Sequence, residues 1–291
     1  MTTRREFFVM SGMALASTAA SVEAEDRPAQ ESRSLDITQI RNATLRINYA
    51  GVRFLVDPML SERHSWAGIK GTVNSEERNP LVHLPFAVEE LIDVDAVIIT
   101  HLHEDHWDAA AQSALPKALP LFVQNEEDAA IISTQGFSDV RILSKNSEFN
   151  GVQLIKIDGQ HANDATYEAI GAILGKVCGV VFMHADERTV YLAGDTVWNE
   201  HVADALIEYR PGVTILNAGY AKVAGIEDGI LMGTNDVARV HKMAPETVIV
   251  ASHMEAVNHC TLTRAQLRTF ARANGFADKL LAPGDGETVT F

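Results

Sequence analysis

The 291-residue chain has few of the residues that cross-link small domains or bind nucleic acid. Its only cysteines are Cys178 and Cys260, too few for a disulfide framework, and we expect two buried thiols. Lysine and arginine number 24 against 39 acidic residues, which gives a formal net charge of -15 without a basic cluster. Because phosphate backbones are bound through clustered Lys and Arg, nucleic acid is excluded as the expected partner.

Apolar runs long enough to span a membrane are also missing. Residues 1–24 carry Arg4 and Arg5, then a short apolar stretch from Phe7, and end in a small-residue cleavage pattern. They resemble a twin-arginine signal peptide, which predicts a periplasmic or secreted protein. A cytoplasmic tail with a chance arginine pair is the alternative. No stable membrane span is expected after signal removal, because the stretch is too short.

No internal repeat or composition break divides the rest of the chain. Residues 25–33 are polar and contain proline, so we predict a linker there and one domain at 34–291. Strands come first in this domain and then alternate with helices. Mixed sheets flanked by helices are the natural packing for this order.

Hydrophobic periodicity locates most of the elements. Two alternating runs within 43–57, separated by Ala50-Gly51, predict a hairpin, and the apolar run 94–100 predicts a buried strand. Further strands are expected at 119–123, 140–143, 152–157, 176–184, 189–193, 213–217, 247–252 and 280–281, and helices at 107–115, 126–134, 197–209, 235–243 and 263–273. Residues 59–85 lack periodicity, and a loop of that length is usually functional or mobile.

The densest group of potential metal ligands directly follows the strand at 94–100. Residues 101–106 read His-Leu-His-Glu-Asp-His. Residues two apart point the same way in an extended chain, so His101 and His103 can share one ion. Asp105 and His106, at the following turn, can serve a second ion. Imidazole and carboxylate are ligands that zinc and similar cations accept, so the pattern predicts a metal centre.

Three later residues, His161, Asp195 and His253, also follow apolar strands. Strand ends can converge on one edge of a sheet, where α/β folds place their sites. Each residue has a simpler alternative: a polar loop position for either histidine, and a cap of the next helix for Asp195. We prefer His253 to the nearby His259 as a ligand because it directly follows the strand. His259 could instead line the pocket or donate a proton, or be a loop residue.

The motif at 101–106, followed by a later His, a Gly-Asp after a strand and a final His, resembles the metallo-β-lactamase-fold hydrolases. The order matches over roughly residues 38–290, and residues 53–58 resemble the early strand of one branch. That branch includes ascorbate-phosphate lactonase-like and phospholipase D-like hydrolases. The resemblance implies an α+β fold, an αββα sandwich of two mixed β-sheets with helices on the outer faces.

The resemblance also implies a binuclear metal centre. One ion would be held by His101, His103 and His161, the other by Asp105, His106 and His253, with Asp195 bridging. The ions would be divalent, Zn²⁺ first and Mn²⁺ or Fe²⁺ as alternatives. Such ions lower the pKa of bound water from about 16 toward ~7, which supplies hydroxide at neutral pH. Asp105 or Asp195 could then orient the nucleophile and shuttle its proton.

Two departures within the superfamily narrow the expected chemistry. His103 stands where the di-iron electron-transfer branch has a carboxylate, so oxygen reduction is not implied. True metallo-β-lactamases usually lack a His after the motif Asp and use Cys for the second ion. This chain has His106 and Asp195, so antibiotic hydrolysis is not the default expectation.

The sequence therefore predicts a metal-dependent hydrolase that uses metal-bound hydroxide on an ester, lactone, amide or phosphodiester bond of a small molecule. A non-catalytic metal-binding or scaffold protein, or a metal-storage or sensor protein, is the alternative. Trp66, Arg78 and His259 are candidate pocket residues, although for Arg78 we prefer an exposed structural arginine to one that pairs with an anionic group. We interpret Asp57 as a turn residue, with a hydrogen bond to a metal ligand as the alternative.

Overall fold

The structure, a computed structural model, describes residues 1–2 and 35–291. The predicted signal peptide at 1–24, beyond its first two residues, and the linker at 25–33 lie outside the described residues, so both stay predictions. From residue 35 onward the chain belongs to one compact unit. In this part of the chain no helix is both long and apolar enough to cross a membrane.

Fourteen strands and seven α-helices are found in the described residues. The strands are β1 (Asp36–Arg41), β2 (Thr44–Tyr49), β3 (Val52–Val56), β4 (Ala96–Ile99), β5 (Leu121–Val123), β6 (Val140–Ile142), β7 (Ser147–Phe149), β8 (Val152–Asp158), β9 (Cys178–Met183), β10 (Val190–Leu192), β11 (Val213–Asn217), β12 (Val248–Ser252), β13 (Leu280–Leu281) and β14 (Thr288–Thr290). The helices are α1 (Val88–Leu91), α2 (Ala109–Ala114), α3 (Glu126–Thr134), α4 (Asp164–Leu174), α5 (Glu200–Tyr209), α6 (Thr234–Met243) and α7 (Arg264–Ala273).

The strands form two seven-stranded mixed sheets. The first has the order β14-β1-β2-β3-β4-β5-β6, antiparallel from β14 to β3 and parallel from β3 to β6. The second has the order β13-β12-β11-β10-β9-β8-β7, parallel from β13 to β10 and antiparallel from β10 to β7. Each sheet thus combines an antiparallel half with a parallel half whose strands are joined through helices.

The two sheets face each other across a buried apolar core. Phe54 on β3 packs edge-on against Phe182 on β9, with ring centroids 5.4 Å apart. On the outer face of the first sheet, Val97 packs in one cluster with Ala111 of α2. On the outer face of the second, Leu216 packs in one cluster with Leu206 of α5. This is the αββα sandwich that the sequence resemblance implies, and the fold expectation is confirmed.

Several elements differ from the sequence expectation. The helix expected at 197–209 begins at Glu200, and Asn199 caps it by accepting a hydrogen bond from the backbone N–H of Val202, so Asp195 is not its cap. Helix α4 was not expected at all, although Asn163 at its start caps the first turn. Strands β1, β7 and β14 and the one-turn α1 were also missed. Strands β7 and β14 and helix α1 have only three or four residues, too few to show periodicity.

Arg41 fixes both ends of the long loop at 59–85. Its side chain is fully buried, and its guanidinium donates to the carbonyl oxygens of Met59 (2.6 Å), Ser61 (2.8 Å) and Val82 (3.1 Å). Burial lowers the pKa of Arg41 to about 10, with the charges of Asp108 and Asp285 opposing the shift, so the group stays cationic at neutral pH. The loop is therefore anchored to the first sheet at positions far apart in its sequence.

Replacement of this arginine should cost much more stability than replacement of a surface arginine. Arg41→Met leaves three carbonyl groups without their donor, and we expect a loss of about 3 kcal/mol in the free energy of unfolding. Arg53→Met is the control: its ion pairs with Asp93 and Asp95 are partly exposed, so we expect at most about 1 kcal/mol. Urea unfolding of both variants measures the difference, and equal losses would contradict the anchoring role.

Candidate metal centre

Imidazoles and carboxylates meet where the strands of both sheets end. His101 lies two residues after β4, and its Nε2 is 2.8 Å from Nδ1 of His103. His161 lies three residues after β8, Asp195 three residues after β10, and His253 directly after β12. All are buried except His103, which is partly exposed. The strand ends thus bring the residues together at one edge of the sandwich.

A second set of ligand atoms lies beside the first. Nε2 of His106 is 3.1 Å from Nε2 of His253, and Oδ2 of Asp105 is 3.2 Å from the same His253 nitrogen. Oδ2 of Asp105 also lies 3.8 Å from Nε2 of His106. Three side chains from two different sheets therefore direct one atom each toward a common point.

Asp195 lies between the two sets. Its Oδ2 is 3.1 Å from Nε2 of His106 and 3.3 Å from Nε2 of His161. The same oxygen is 3.6 Å from Nε2 of His253 and 3.8 Å from Nε2 of His101. One carboxylate oxygen thus faces nitrogens from both sets, the position that a bridging ligand would occupy.

These distances fit a metal centre. Two nitrogens bound at about 2.05 Å to one tetrahedral zinc lie about 3.3 Å apart. Three groups of side chains have all their ligand atoms within 4.8 Å of one another: His101, His103 and His161; His101, His106 and Asp195; and Asp105, His106 and His253. Two of these are the triads expected from the sequence, and the third joins them through Asp195.

The charge states of the cluster suit cation binding. Burial lowers the pKa of His103 to about 4, with His161 adding to the effect, and burial also lowers the pKa of His101 and His161. These three imidazoles are therefore neutral at pH 7, the form that binds a metal. Burial alone would raise the pKa of Asp195, but His106, His253 and His161 hold it well below its usual value.

The second set is electrostatically tied to the carboxylates. Burial would lower the pKa of His106, but Asp195, Asp105 and Asp57 outweigh it and raise that pKa to about 10. Burial would raise the pKa of Asp105, but His106 and His253 hold it well below its usual value. The buried cluster thus strongly favours positive charge beside its carboxylates. Divalent cations can supply that charge in place of protons.

Neighbouring groups fix the orientation of the imidazoles. Nδ1 of His106 lies 2.9 Å from Oδ2 of Asp57, and Thr100 donates to the same carboxylate from both its backbone N–H and its hydroxyl. His161 directs Nδ1 to the carbonyl of Ile230 at 2.8 Å, which leaves its Nε2 for the centre. The interpretation of Asp57 as a turn residue alone was therefore wrong. It does occupy a turn conformation, with φ 44°, but it also holds His106.

Two asparagines and one cysteine beside the cluster were missed from the sequence. The amide of Asn42 donates to Oδ2 of Asp105 (3.2 Å) and to its carbonyl oxygen (3.0 Å). The amide of Asn217 donates to Oδ1 of Asp195 at 2.7 Å. Sγ of Cys260 lies 3.4 Å from Nδ1 of His253. Asn42 sits in a β-turn and Asn217 ends a strand, so neither position marks the residue as functional without the fold. Cys260 and Cys178 are both free thiols, and only Cys178 is fully buried.

A cavity of about 610 Å³ opens onto the cluster. It is lined by the loop segment Trp66–Thr72, by side chains of α4, and by residues that include His103, Asp105, His161, Asp195 and His259. Trp66 and His259 thus lie where the sequence placed pocket residues. Arg78 does not line this cavity. Its guanidinium donates to the carbonyls of His64 and Ser65, so it shapes its own loop instead.

Helix α4 supplies a wall that the sequence analysis did not anticipate. Ile170, Ile173 and Leu174 line the cavity, and Ile173 is 79% exposed. The signal was present in the sequence, because an Asn cap at residue 163 precedes apolar residues at helical spacing.

Comparison with known proteins agrees with this geometry. The profile of the Beta-lactamase superfamily domain matches residues 52–254. The chain belongs to this superfamily. UPF0173 protein YddR of Bacillus subtilis (strain 168) is 43% identical over 258 residues, which cover 88% of this chain and 100% of that protein.

Two solved structures are similar to this chain over nearly their whole length. An isothiocyanate hydrolase from Delia radicum gut bacteria is 49% identical, with a TM-score of 0.85, and the match covers 88% of this chain and 99% of that one. A possible metal-dependent hydrolase from Veillonella parvula DSM 2008 is 43% identical, with a TM-score of 0.87, and the match covers 89% and 100%. This member of the beta-lactamase superfamily is a metal-dependent hydrolase.

Metal content should follow the two triads. We expect two divalent ions per chain in the purified superfamily member, because two complete triads are present. His161→Ala should lower the content toward one ion, and Asp195→Ala should lower it further because its carboxylate faces both sets. His201→Ala, an exposed histidine on α5, is the matched control and should retain both ions. Inductively coupled plasma mass spectrometry measures the content; identical values in all variants would contradict the assignment.

The contact between Asp57 and His106 should control the affinity for metal ions without changing the ligand set. Asp57→Asn removes the charge that faces Nδ1 of His106, and removal of such a partner typically weakens metal binding by about 10- to 100-fold. Asp93→Asn, whose side chain is 76% exposed, should leave affinity unchanged. Competition with a chromophoric chelator measures both. Unchanged affinity in Asp57→Asn would show that the hydrogen bond does not support the centre.

Proposed function

We propose that this metal-dependent hydrolase acts on small uncharged electrophiles with an apolar substituent, and that isothiocyanates are its substrates. The observation that carries the proposal is the cavity of about 610 Å³, which joins the ligand cluster to apolar walls. Its size lies within the range of small-molecule pockets, about 300–1,000 Å³. The 49% identity to an isothiocyanate hydrolase over nearly the whole of both chains supports the same substrate class.

The walls favour a neutral substrate that is attacked at carbon. Apolar side chains line both sides of the cavity: Trp66 and Ile69 from the loop, Ile170, Ile173 and Leu174 from α4, and Val223 and Ile230 from the chain after β11. Lys70 is the one Lys or Arg among the lining residues. Sites for phosphate groups normally gather several such cations or backbone N–H groups. A phosphodiester is therefore a poorer fit than an isothiocyanate, an ester, a lactone or an amide.

Two divalent ions, Zn²⁺ in our proposal, fit the donor set. His101, His103 and His161 would hold one ion, Asp105, His106 and His253 the other, and Asp195 would contact both. Bound ions of this kind supply a water of lowered pKa and polarise the atom that accepts negative charge. The chain's own contribution is to fix the ligands in place and to keep the site dry on its apolar side.

The proposed reaction balances with water as the only co-reactant. Water oxygen forms a bond to the central carbon of R–N=C=S, and one water proton passes to nitrogen with the electron pair of the C=N π bond. The second water proton passes from oxygen to sulfur, which gives the thiocarbamic acid R–NH–C(=O)–SH. The C–N bond then breaks as the thiol proton moves to nitrogen. The products are the amine R–NH₂ and carbonyl sulfide.

Asp105 and Asp195 are the proposed catalytic carboxylates. Both face the cavity and both are ionised, because the surrounding imidazoles keep their pKa well below the usual value. A carboxylate in this position can accept a hydrogen bond from the attacking water, orient it, and pass its proton toward the substrate nitrogen. Asn42 and Asn217 each occupy one side of these carboxylates and so limit their rotation.

A substrate panel tests the proposal. We expect the metal-loaded protein to hydrolyse benzyl isothiocyanate with a kcat/KM at least about 100-fold above that for p-nitrophenyl acetate, γ-butyrolactone or bis-p-nitrophenyl phosphate, a difference of about 2.7 kcal/mol in transition-state stabilisation. Benzylamine and carbonyl sulfide should appear in equal amounts by fluorescamine assay and gas chromatography. His103→Ala is the control for hydrolysis without a complete centre. Preferential hydrolysis of the phosphodiester, or release of no carbonyl sulfide, would overturn the assignment.

A further inference from the structure

One buried polar side chain in the cavity has no role in the ligand set. We propose that His259 is a catalytic residue, whose imidazole N–H donates a hydrogen bond to the substrate heteroatom on which negative charge develops. For an isothiocyanate that atom is the nitrogen or sulfur of the N=C=S group, and this identification rests on the function proposed above. The hydrogen-bonding role itself applies to any substrate that is attacked at carbon in this cavity.

The position of His259 supports the assignment. Its side chain lines the same cavity as Asp105 and Asp195, and the residue is only 5% exposed. Its Nδ1 is buried and has no hydrogen-bond partner among the described residues. The other ring nitrogen, Nε2, is not among the buried unpartnered atoms, so Nε2 is the nitrogen that can meet a substrate in the cavity.

His259 is not needed as a metal ligand. None of the three groups whose ligand atoms lie within 4.8 Å of one another includes it. The five other histidines of the site already complete both triads with Asp105 and Asp195. Nε2 of His259 is therefore left for the substrate.

The other polar side chains of the cavity cannot take this role equally well. Apart from the proposed ligands and His259, the lining residues with a polar side-chain atom are Trp66, Lys70, Thr72 and Glu104. Nε1 of Trp66 is also buried without a partner among the described residues, but the residue as a whole is partly exposed on the loop wall. Lys70 and Glu104 are exposed, so water screens them. The hydroxyl of Thr72 already donates to the carbonyl of Ile69 at 2.6 Å and accepts from the amide of Asn258 at 2.9 Å. Among the lining residues outside the ligand set, His259 alone is buried as a whole residue and keeps an unpartnered nitrogen.

The backbone around His259 is held from several sides. The side-chain oxygen of Asn258 accepts from the backbone N–H of Ile69 and from the amide of Asn79, and its own amide donates to the carbonyl of Val73 at 2.7 Å. The carbonyl of His259 accepts from the backbone N–H of Lys222 at 3.0 Å. A donor fixed before the substrate arrives loses little free energy in reorganisation, which is the condition for strong stabilisation of a developing charge.

The imidazole acts in its neutral form. Burial lowers the pKa of His259 to about 4, with Asp105 opposing and His253 adding to the shift. A neutral imidazole still carries one N–H, and such a group can stabilise developing negative charge without releasing its proton. Donation of a hydrogen bond needs no charged histidine beside the metal centre, whereas donation of a proton would need one.

Activity measurements on substituted protein test the role. His259→Ala should lower kcat/KM about 100-fold, the typical effect of losing one such donor, while both metal ions and the urea midpoint are retained. His259→Gln, which restores an N–H donor, should recover about tenfold. His201→Ala is the matched control, a histidine-to-alanine change outside the cavity. Full activity in His259→Ala, or an equal loss in the Ala and Gln variants with normal metal content, would overturn the proposal.

A second readout separates this proposal from the proposed substrate. The activity series uses both benzyl isothiocyanate and p-nitrophenyl acetate. If only the isothiocyanate is not hydrolysed, the proposed function is refuted, and hydrolysis of the ester still tests the role of His259. In addition, ¹⁵N-histidine spectra of the metal-loaded protein are recorded with N-benzylthiourea, a neutral analogue of the addition product. The imidazole signal that disappears in His259→Gln should shift on binding. A bound analogue that leaves this signal unchanged would contradict the contact, whatever the protein hydrolyses.

Discussion

The carboxylate of Asp195 is the group on which the site depends. It is buried at the edge where strands of both sheets end, and an unpaired charge there would be costly. It is stabilised because four imidazole nitrogens lie within 3.8 Å of one of its oxygens. Its other oxygen accepts a hydrogen bond from Asn217. Every histidine near it comes from the end of a different strand or from the motif after β4. The position of one buried charge therefore requires the edges of both sheets to meet.

Backbone contacts, as well as the ligands, hold the edges of the two sheets together. The carbonyl of Asn42, in the turn between β1 and β2, accepts from the backbone N–H of His253 (2.9 Å) and from the hydroxyl of Ser252 (3.0 Å) at the end of β12. The first sheet thus contacts the second at the ligand itself. Because the amide of the same Asn42 donates to the ligand Asp105, packing of the sandwich and geometry of the centre depend on the same few contacts. A change that separates the sheets would also separate the ligands.

The parts of this site that the sequence predicts are those encoded locally. The motif at 101–106 follows one apolar strand, and His161, Asp195 and His253 follow others, so periodicity and chain direction suffice to bring them to one edge. The roles of Asn42, Asp57 and Asn258 depend on partners far away in sequence. Asn42 and Asp57 each lie in a turn, and that local context predicts only a turn. Helix α4 was recognisable from its cap and spacing, but nothing local indicated that it would face the metal centre.

Chemistry and selectivity are carried by different parts of the fold. The ligands follow strands whose positions the core fixes, whereas much of the cavity wall belongs to the loop at 66–72 and to α4. Substitutions in these walls can change the accepted substituent without moving a ligand. His259 is the exception, since Asn258 beside it connects the loop after β12, which begins with the ligand His253, to the wall segment at 69–73. A residue at this junction can contact the substrate and keep a fixed distance to the reacting centre, whichever substituent the rest of the cavity wall accepts.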